Sequence, residues 1–328
     1  MITTIYSLFE WLLYVSEKEA KKSFYIFENW IPESITSHFE HHFLLPRFEK
    51  RYQWDRRICW LWLRYFKWKN LPNFNNYNLI AHDHLFYSSI FIWKNSYTLL
   101  EDGPHIFSQI GVERWVKMQS HVNKLSKLKL LLFGPTNGHP MGTNDQCTDL
   151  IVTSMDIAEE LKEKKVHYFD MFDAWKKADE KKKRFITEVF GLSEDLKLKL
   201  ENRDIVYFSN AFCDDWVFTE DEYRVFAQKL LSKYDAKRLV IKPHPRDYFN
   251  YTAYFPDVVV LPHIVPSQLL DMVGIRFKKA ITITSSAVFD MGYPLEIDWY
   301  GKKCHPNILE RYGVEEIVPE GVKWCELD

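Results

Sequence analysis

Apolar and polar positions along the chain alternate in two successive rhythms. Residues Ile2 to Val15 mix β-branched and aromatic side chains before the charged run Glu17 to Lys22, the pattern of a first strand and helix in an α/β domain. Short apolar runs ending in polar residues recur at Asn78-Leu79-Ile80-Ala81, Tyr97-Thr98-Leu99-Leu100, Leu128 to Phe133 and Leu150 to Ser154. Such runs fit buried parallel strands whose C-terminal ends carry functional loops. The Leu128 run breaks into Gly134-Pro135-Thr136-Asn137-Gly138-His139-Pro140, a loop dense in turn formers. Between Asp156 and Arg203, Lys and Glu dominate at helical spacing, with no strong strand signal after Tyr168, and the stretch reads as an interdomain segment. From Ile205 the pattern predicts a second series: strand Ile205 to Phe208, helix Glu220 to Tyr234, strands Arg238 to Ile241 and Val258 to Leu261, helix Ser267 to Val273, and strand Ala280 to Thr284. The expected fold class is α/β, with two doubly wound domains covering residues 1–190 and 191–328.

A length of 328 residues suits two cores with a cleft between them. Aromatic residues reach 16%, more than a core normally needs, and rings of this kind stack on sugars and bases. The net charge of −2 provides no global field for nucleic acid, so an anionic substrate has to be held by local groups and the partner is a small molecule. Five scattered cysteines, an odd number without paired spacing, argue against a disulfide framework and a zinc cluster and suit a reducing compartment. Met1 to Val15 has no basic leader and no cleavage site, and Glu10 interrupts its apolar run, so the expected location is the cytoplasm. Arg56 to Lys69 interleaves Trp60, Trp62, Tyr65, Phe66 and Trp68 with cations. That pattern fits a peripheral contact with the inner face of a plasma membrane as well as a buried helix with snorkelling Lys and Arg. Oligomeric state is left open.

Three strand ends carry residues suited to chemistry. Glu101-Asp102-Gly103 follows the strand at Tyr97, where a carboxylate would project from the carboxyl edge of the sheet. Repulsion between adjacent acids and partial burial both raise a carboxyl toward the range useful for a general base, and Gly103 permits close approach. Taken alone, the tripeptide also reads as a solvated loop, since acidic loops are common. Lys242-Pro243-His244-Pro245-Arg246 places an imidazole between two prolines and two cations at another strand end. Such a set can donate to a phosphate, although a surface turn with incidental charges would look the same. Thr282-Ile283-Thr284-Ser285-Ser286-Ala287 runs from a strand into a hydroxyl pair and then a helical start, which is either an anion site or a plain N-cap.

His82-Asp83-His84 would ligate a metal only with a third ligand that the sequence does not show, and acceptor contact is the competing role. No Asp-x-Asp pair occurs, although such pairs often hold the metal of a nucleotide-sugar diphosphate, so a metal-free donor site is expected.

Taken in order, these motifs resemble the bacterial sialyltransferases of glycosyltransferase family 52, which act on lipooligosaccharide and capsule. The resemblance is carried by Asp83-His84, Leu100-Glu101-Asp102-Gly103, Ser209-Asn210, Ile241 to Arg246 and Thr284-Ser285-Ser286, and it covers roughly residues 78 to 295. It implies a GT-B fold of two Rossmann-like domains facing a cleft, with the acceptor on the N-terminal side and CMP held mainly by the C-terminal domain. It further implies inverting transfer of sialic acid from CMP-sialic acid to a terminal galactose or sialic acid of a surface glycan, with no metal or other cofactor. Asp102 would deprotonate the acceptor hydroxyl and His244 would stabilise the departing CMP. Ser285, Ser286, Lys242, Arg246, Ser209 and Asn210 would serve the donor, and Asp83, His84 and His105 the acceptor. Two positions depart from the pattern. Gln268, in Val265-Pro266-Ser267-Gln268-Leu269, stands where such enzymes often place a glutamate for the cytidine or its ribose, and Pro104-His105 follows Gly103. Gln268 adds a donor and loses a charge, which points to a different nucleotide sugar as the nearest alternative. A metal-dependent hydrolase using His82, Asp83, His84 and Asp102, or an inactive glycan-binding protein, are readings from other classes.

Overall fold

The computed structural model describes residues 2, 4–45, 71–83, 88–92, 95–103, 106–113, 141–314 and 321–327. Leu128 to Phe133, the Gly134 to Pro140 loop, Arg56 to Lys69, Cys59, His84 and His105 lie outside them. The chain divides into two units, Met1–Ile186 and Thr187–Asp328. The division falls within the helix Glu180–Val189.

The first unit opens on a helix, α1 (Ile5–Tyr14), where a strand was expected to lead. β-branched residues cluster only at its very start, while Leu8, Phe9, Trp11, Leu12 and Leu13 are all buried, as befits a helix apolar on nearly every side. A capping box between Thr4 and Ser7 sets the start. Ile2 retains only an isolated bridge to Phe27, and the first strand is β1 (Tyr25–Phe27), paired in parallel with β2 (His42–Leu44). A separate parallel sheet runs β3 (Leu79–Ala81), β4 (Tyr97–Leu100), β5 (Cys147–Val152) and β6 (Lys165–Tyr168), in that order. β6 lies in the stretch that read as an interdomain segment. As an edge strand with half-exposed and exposed side chains it has no apolar run to announce it. The remainder of that stretch is helical at Met171–Lys177, Glu180–Val189 and Glu194–Leu200.

The second unit is a six-stranded parallel sheet ordered β12-β11-β10-β7-β8-β9. Its strands are β7 (Ile205–Phe208), β8 (Leu239–Lys242), β9 (Val259–Val260), β10 (Lys279–Thr282), β11 (Glu296–Trp299) and β12 (Lys323–Trp324). Every residue of β7 and β8 is buried, which is why both read as continuous apolar runs. β11 and β12 escaped the sequence reading because Glu296 and Asp298 interrupt the former and both residues of the latter are exposed. The chain winds from β7 outward through β8 and β9, then returns to the other side of β7 at β10. This reversal makes the carboxyl ends of β7 and β10 the switch point of the sheet, the usual ligand position in such folds. Among the described residues, the reversal occurs in this unit alone.

Much of the aromatic content is spent on cores rather than on ligand stacking. In the second unit Tyr207, Phe212, Phe218, Tyr223, Phe226, Phe249 and Tyr251 form one buried cluster. Among the described residues, no helix is long and apolar enough to cross a membrane.

Candidate functional site

The residues after β7 tie the two neighbouring strand ends together. β7 lies between β8 and β10, so Ser209 and Asn210 emerge between the histidine-proline loop and the serine loop. Ser209 Oγ accepts from the backbone N–H of His244 at 3.0 Å. Asn210 Nδ2 donates to Thr284 Oγ1 at 3.0 Å, while its side-chain oxygen is buried without a partner. The motifs that the sequence separates by tens of residues are therefore joined at the switch point of the sheet.

His244 is held in one tautomer. The backbone N–H of Arg246 donates to Nδ1 at 3.1 Å, so the hydrogen-bond pattern assigns the ring proton to Nε2. Burial, with the charges of Arg246 and Lys242 adding to it and Asp215 and Asp214 opposing, lowers the imidazole to about 4. The neutral ring thus presents Nε2–H as a hydrogen-bond donor.

Both flanking cations have partners within the protein. Lys242 is buried, donates to the carbonyl of Pro243 at 2.8 Å, and is lowered by desolvation to about 7 against the pull of Asp247. Arg246 is half-buried and paired with Asp214 and Asp215 at 2.8 and 2.9 Å, so its charge is largely balanced within the protein. Asp247 is 4% exposed. It accepts from Ser209 Oγ and from Tyr251 OH at 2.8 Å through Oδ2, and from the backbone N–H of Phe249 at 3.2 Å through Oδ1.

The serine loop also differs from its expectation. Only a four-residue 3₁₀ turn, Ser286–Phe289, follows Ser285, too short to supply a strong dipole. Ser285 makes no side-chain cap bond; its N–H donates to Thr282 Oγ1 at 2.9 Å. The hydroxyls are therefore not consumed by capping, and Ser286 is exposed. Gln268 is buried in the helix Ser267–Met272, with its Oε1 accepting from Ser267 Oγ at 3.3 Å.

In the first unit, the two acids of Glu101-Asp102-Gly103, directly after β4, have different surroundings. Glu101 is 1% exposed, and its Oε2 accepts from the N–H and Oγ1 of Thr153 at 3.0 and 2.6 Å. Burial raises it to about 7 despite those two bonds, with Asp102 adding to the rise. Asp102 is half-buried, and its carbonyl accepts from Thr4 Oγ1 at 3.1 Å. A Cβ built on Gly103 would meet no atom within 4 Å, so there is open space at Gly103, the residue after Asp102. Glu10, buried in α1, has no hydrogen-bond partner for either carboxyl oxygen. Desolvation raises it well above the usual carboxylate range, with Glu101 and Asp102 adding to the effect.

Asp83 is buried, and its Oδ2 accepts from Tyr97 OH at 2.8 Å and from the N–H of Gly142 at 2.7 Å. The geometry gives it a structural post. His82 is fully buried. Among the described residues, no group of three His, Cys, Asp or Glu side chains converges to hold a metal.

Asp247, bonded to Ser209, and Glu10, buried near Glu101 and Asp102, were not singled out from the sequence. The available signals were an acid directly after the histidine-proline motif and a lone acid inside an apolar helix, and the latter was read only as an interruption. Asp214 and Asp215, which neutralise Arg246, gave no signal because a pair of acids in a loop is unremarkable in sequence.

Comparison with known proteins agrees with this architecture. A protein of Haemophilus influenzae, itself uncharacterized, is 32% identical over 232 residues, which is 70% of each chain. The GT-B domain of a sialyltransferase from Photobacterium damselae superposes with a TM-score of 0.51 at 14% identity, covering 98% of this chain and 97% of that one; this establishes the fold. Residues 28–307 match the sequence profile of glycosyltransferase family 52, and the chain belongs to that family.

Proposed function

We propose that this glycosyltransferase moves sialic acid from CMP-sialic acid to a terminal galactose or sialic acid of a bacterial surface glycan, lipooligosaccharide or capsule, with inversion and without a metal. The observation that carries the reading is the single tautomer of His244, whose Nε2–H is a fixed donor at the carboxyl edge of a nucleotide-binding type of sheet. The sialyltransferase identity of the Photobacterium structure and the family membership support the same class.

In this reaction Asp102 removes the proton of the acceptor hydroxyl, the acceptor oxygen bonds to the anomeric carbon, and the bond to the CMP phosphate breaks with its electron pair left on the phosphate oxygen. One displacement inverts that carbon. His244 Nε2–H and the hydroxyls of Ser285 and Ser286 donate to the departing monophosphate. Neutral donors suit this leaving group, which carries less charge than the diphosphates that often recruit Mg²⁺. Glu101 is buried and bonded to Thr153, whereas Asp102 is only half-buried and is followed by the open position of Gly103, which favours Asp102 as the base.

A thermal-shift screen of CMP, UDP and GDP tests the donor class, because a ligand that binds the native state alone raises the melting temperature. Stabilisation by CMP alone is expected, and transfer should be unaffected by EDTA. Stabilisation by UDP or GDP instead would overturn the donor assignment and favour another nucleotide sugar.

A further inference from the structure

Ser209 is 1% exposed, and its hydroxyl has a fully assigned set of partners. Its proton goes to Asp247, because that carboxylate can only accept, and its lone pair receives the His244 N–H at 3.0 Å. The chain of donors therefore runs from His244 through Ser209 to Asp247. The other side of Asp247 is equally directed. Tyr251 OH donates to Oδ2 at 2.8 Å, so its own lone pair accepts from Tyr223 OH at 2.6 Å, which in turn accepts from Tyr207 OH at 3.2 Å. All three tyrosines are buried within the core of the second unit. Asp247 also closes the turn with its backbone, its N–H donating to the carbonyl of His244 at 2.8 Å.

We propose that Asp247 is the positioning residue of the histidine-proline loop, gripping His244 through Ser209 and through its own backbone and so fixing where the imidazole donates. This inference rests on the reading of His244 as a donor to the CMP phosphate, and it moves Ser209 from substrate contact to support. Buried polar networks of this kind are rigid when every member is satisfied and costly when one is lost. Proline on both sides of His244 restricts the backbone, yet the direction of the ring still depends on the backbone N–H of His244 being tied down, which keeps Nδ1 within reach of the Arg246 N–H that sets the tautomer. Ser209 ties it down, and Asp247 orients Ser209. Without the carboxylate, the hydroxyl is free to turn its proton elsewhere and the N–H of His244 loses an oriented acceptor. Asn in place of Asp247 cannot restore the network. With its oxygen toward Ser209 and Tyr251, its amide NH₂ faces the N–H of Phe249; reversed, the NH₂ faces two donors.

The test compares the full-length chain with Asp247→Asn, Ser209→Ala and Ser209→Thr. The readouts are ¹⁵N–¹H spectra of the histidine side chains, CMP affinity, and the separate kcat and KM values. In the wild type the His244 signals should show a single Nε2–H tautomer. Asp247→Asn and Ser209→Ala should mix the tautomers, weaken CMP binding by about tenfold, the scale of one or two hydrogen bonds, and lower kcat with the acceptor KM unchanged. Ser209→Thr, which keeps the hydroxyl, should restore the wild-type spectrum. If Asp247→Asn does not fold, Ser209→Ala against Ser209→Thr decides the matter. Folded variants with a wild-type imidazole spectrum and CMP affinity would overturn the proposal. If the wild type binds no CMP, the donor reading fails, while the imidazole spectra still report whether Asp247 and Ser209 fix the ring.

Discussion

The N–H of Arg246 lies 3.1 Å from Nδ1 of His244, two residues back along the chain, and by donating there it leaves the imidazole a single proton, on Nε2. Because burial and two neighbouring cations lower this histidine to about 4, the ring should stay neutral throughout the physiological range. The C2 proton of His244, followed by NMR, should titrate near that value rather than near the 6.5 of an ordinary histidine. A midpoint at or above 6.5 would show that burial does not depress this histidine, and one well above 7 that the free enzyme holds an imidazolium instead. The lowered value also predicts that this residue makes the fold less stable as pH falls from 6.5 toward 4, since the unfolded chain takes up the proton first. His244→Ala should reduce kcat by roughly 10²- to 10³-fold, the range for loss of one preorganised donor to a developing charge.

The two adjacent acids should separate by mutation. Asp102→Asn removes the proposed base and should cost roughly 10²- to 10⁴-fold in kcat. Glu101→Gln keeps an oxygen for the N–H and Oγ1 of Thr153 and should retain activity within about tenfold, the scale of a perturbed hydrogen bond. Equal losses in both variants would show that the base assignment is wrong.

Glu10 should make the protein less stable as pH rises. Its carboxyl is raised well above 4.5 in the folded state, so the fold holds a proton that the unfolded chain releases once pH passes 4.5. Glu101, raised to about 7, acts in the same direction between 4.5 and that value. Glu10→Gln removes the cost of ionisation, and its melting temperature should exceed the wild type's increasingly from pH 5 to pH 8, each kcal/mol being worth about 2–4 °C for a unit the size of Met1–Ile186. A constant difference across that range would mean that Glu10 is not the titrating group.

Asp83 and Gly142 should behave as structural partners. Gly142 has φ +85°, and a Cβ there would come within 3.2 Å of Leu99, Leu150 and Leu161, so Gly142→Ala should destabilise by about 1–3 kcal/mol. Asp83→Ala leaves Tyr97 OH and the Gly142 N–H without their acceptor, at a cost of about 1–3 kcal/mol for each buried donor. Both variants should lower the melting temperature. An Asp83→Ala protein of unchanged stability but raised acceptor KM would return Asp83 to the acceptor site.

The sequence by itself determined the class of fold and the strand ends proposed to carry the chemistry. β7 and β8 are buried on both faces and so appear as unbroken apolar runs, and the polar residues that follow such runs mark the carboxyl edge of the sheet. α1 was misread because a helix buried on nearly all sides has no polar face to give it a period, and β6, β11 and β12 were missed because edge or acid-bearing strands lack the run. Tertiary structure alone decided what each charged side chain does. Whether Lys242 faces solvent or the core, whether Arg246 is free or paired with Asp214 and Asp215, and whether Ser209 meets a ligand or Asp247 all depend on partners brought together by strand order. Burial and hydrogen bonding are properties of that assembled neighbourhood, and they turn a histidine between two cations into a neutral donor with one proton to offer.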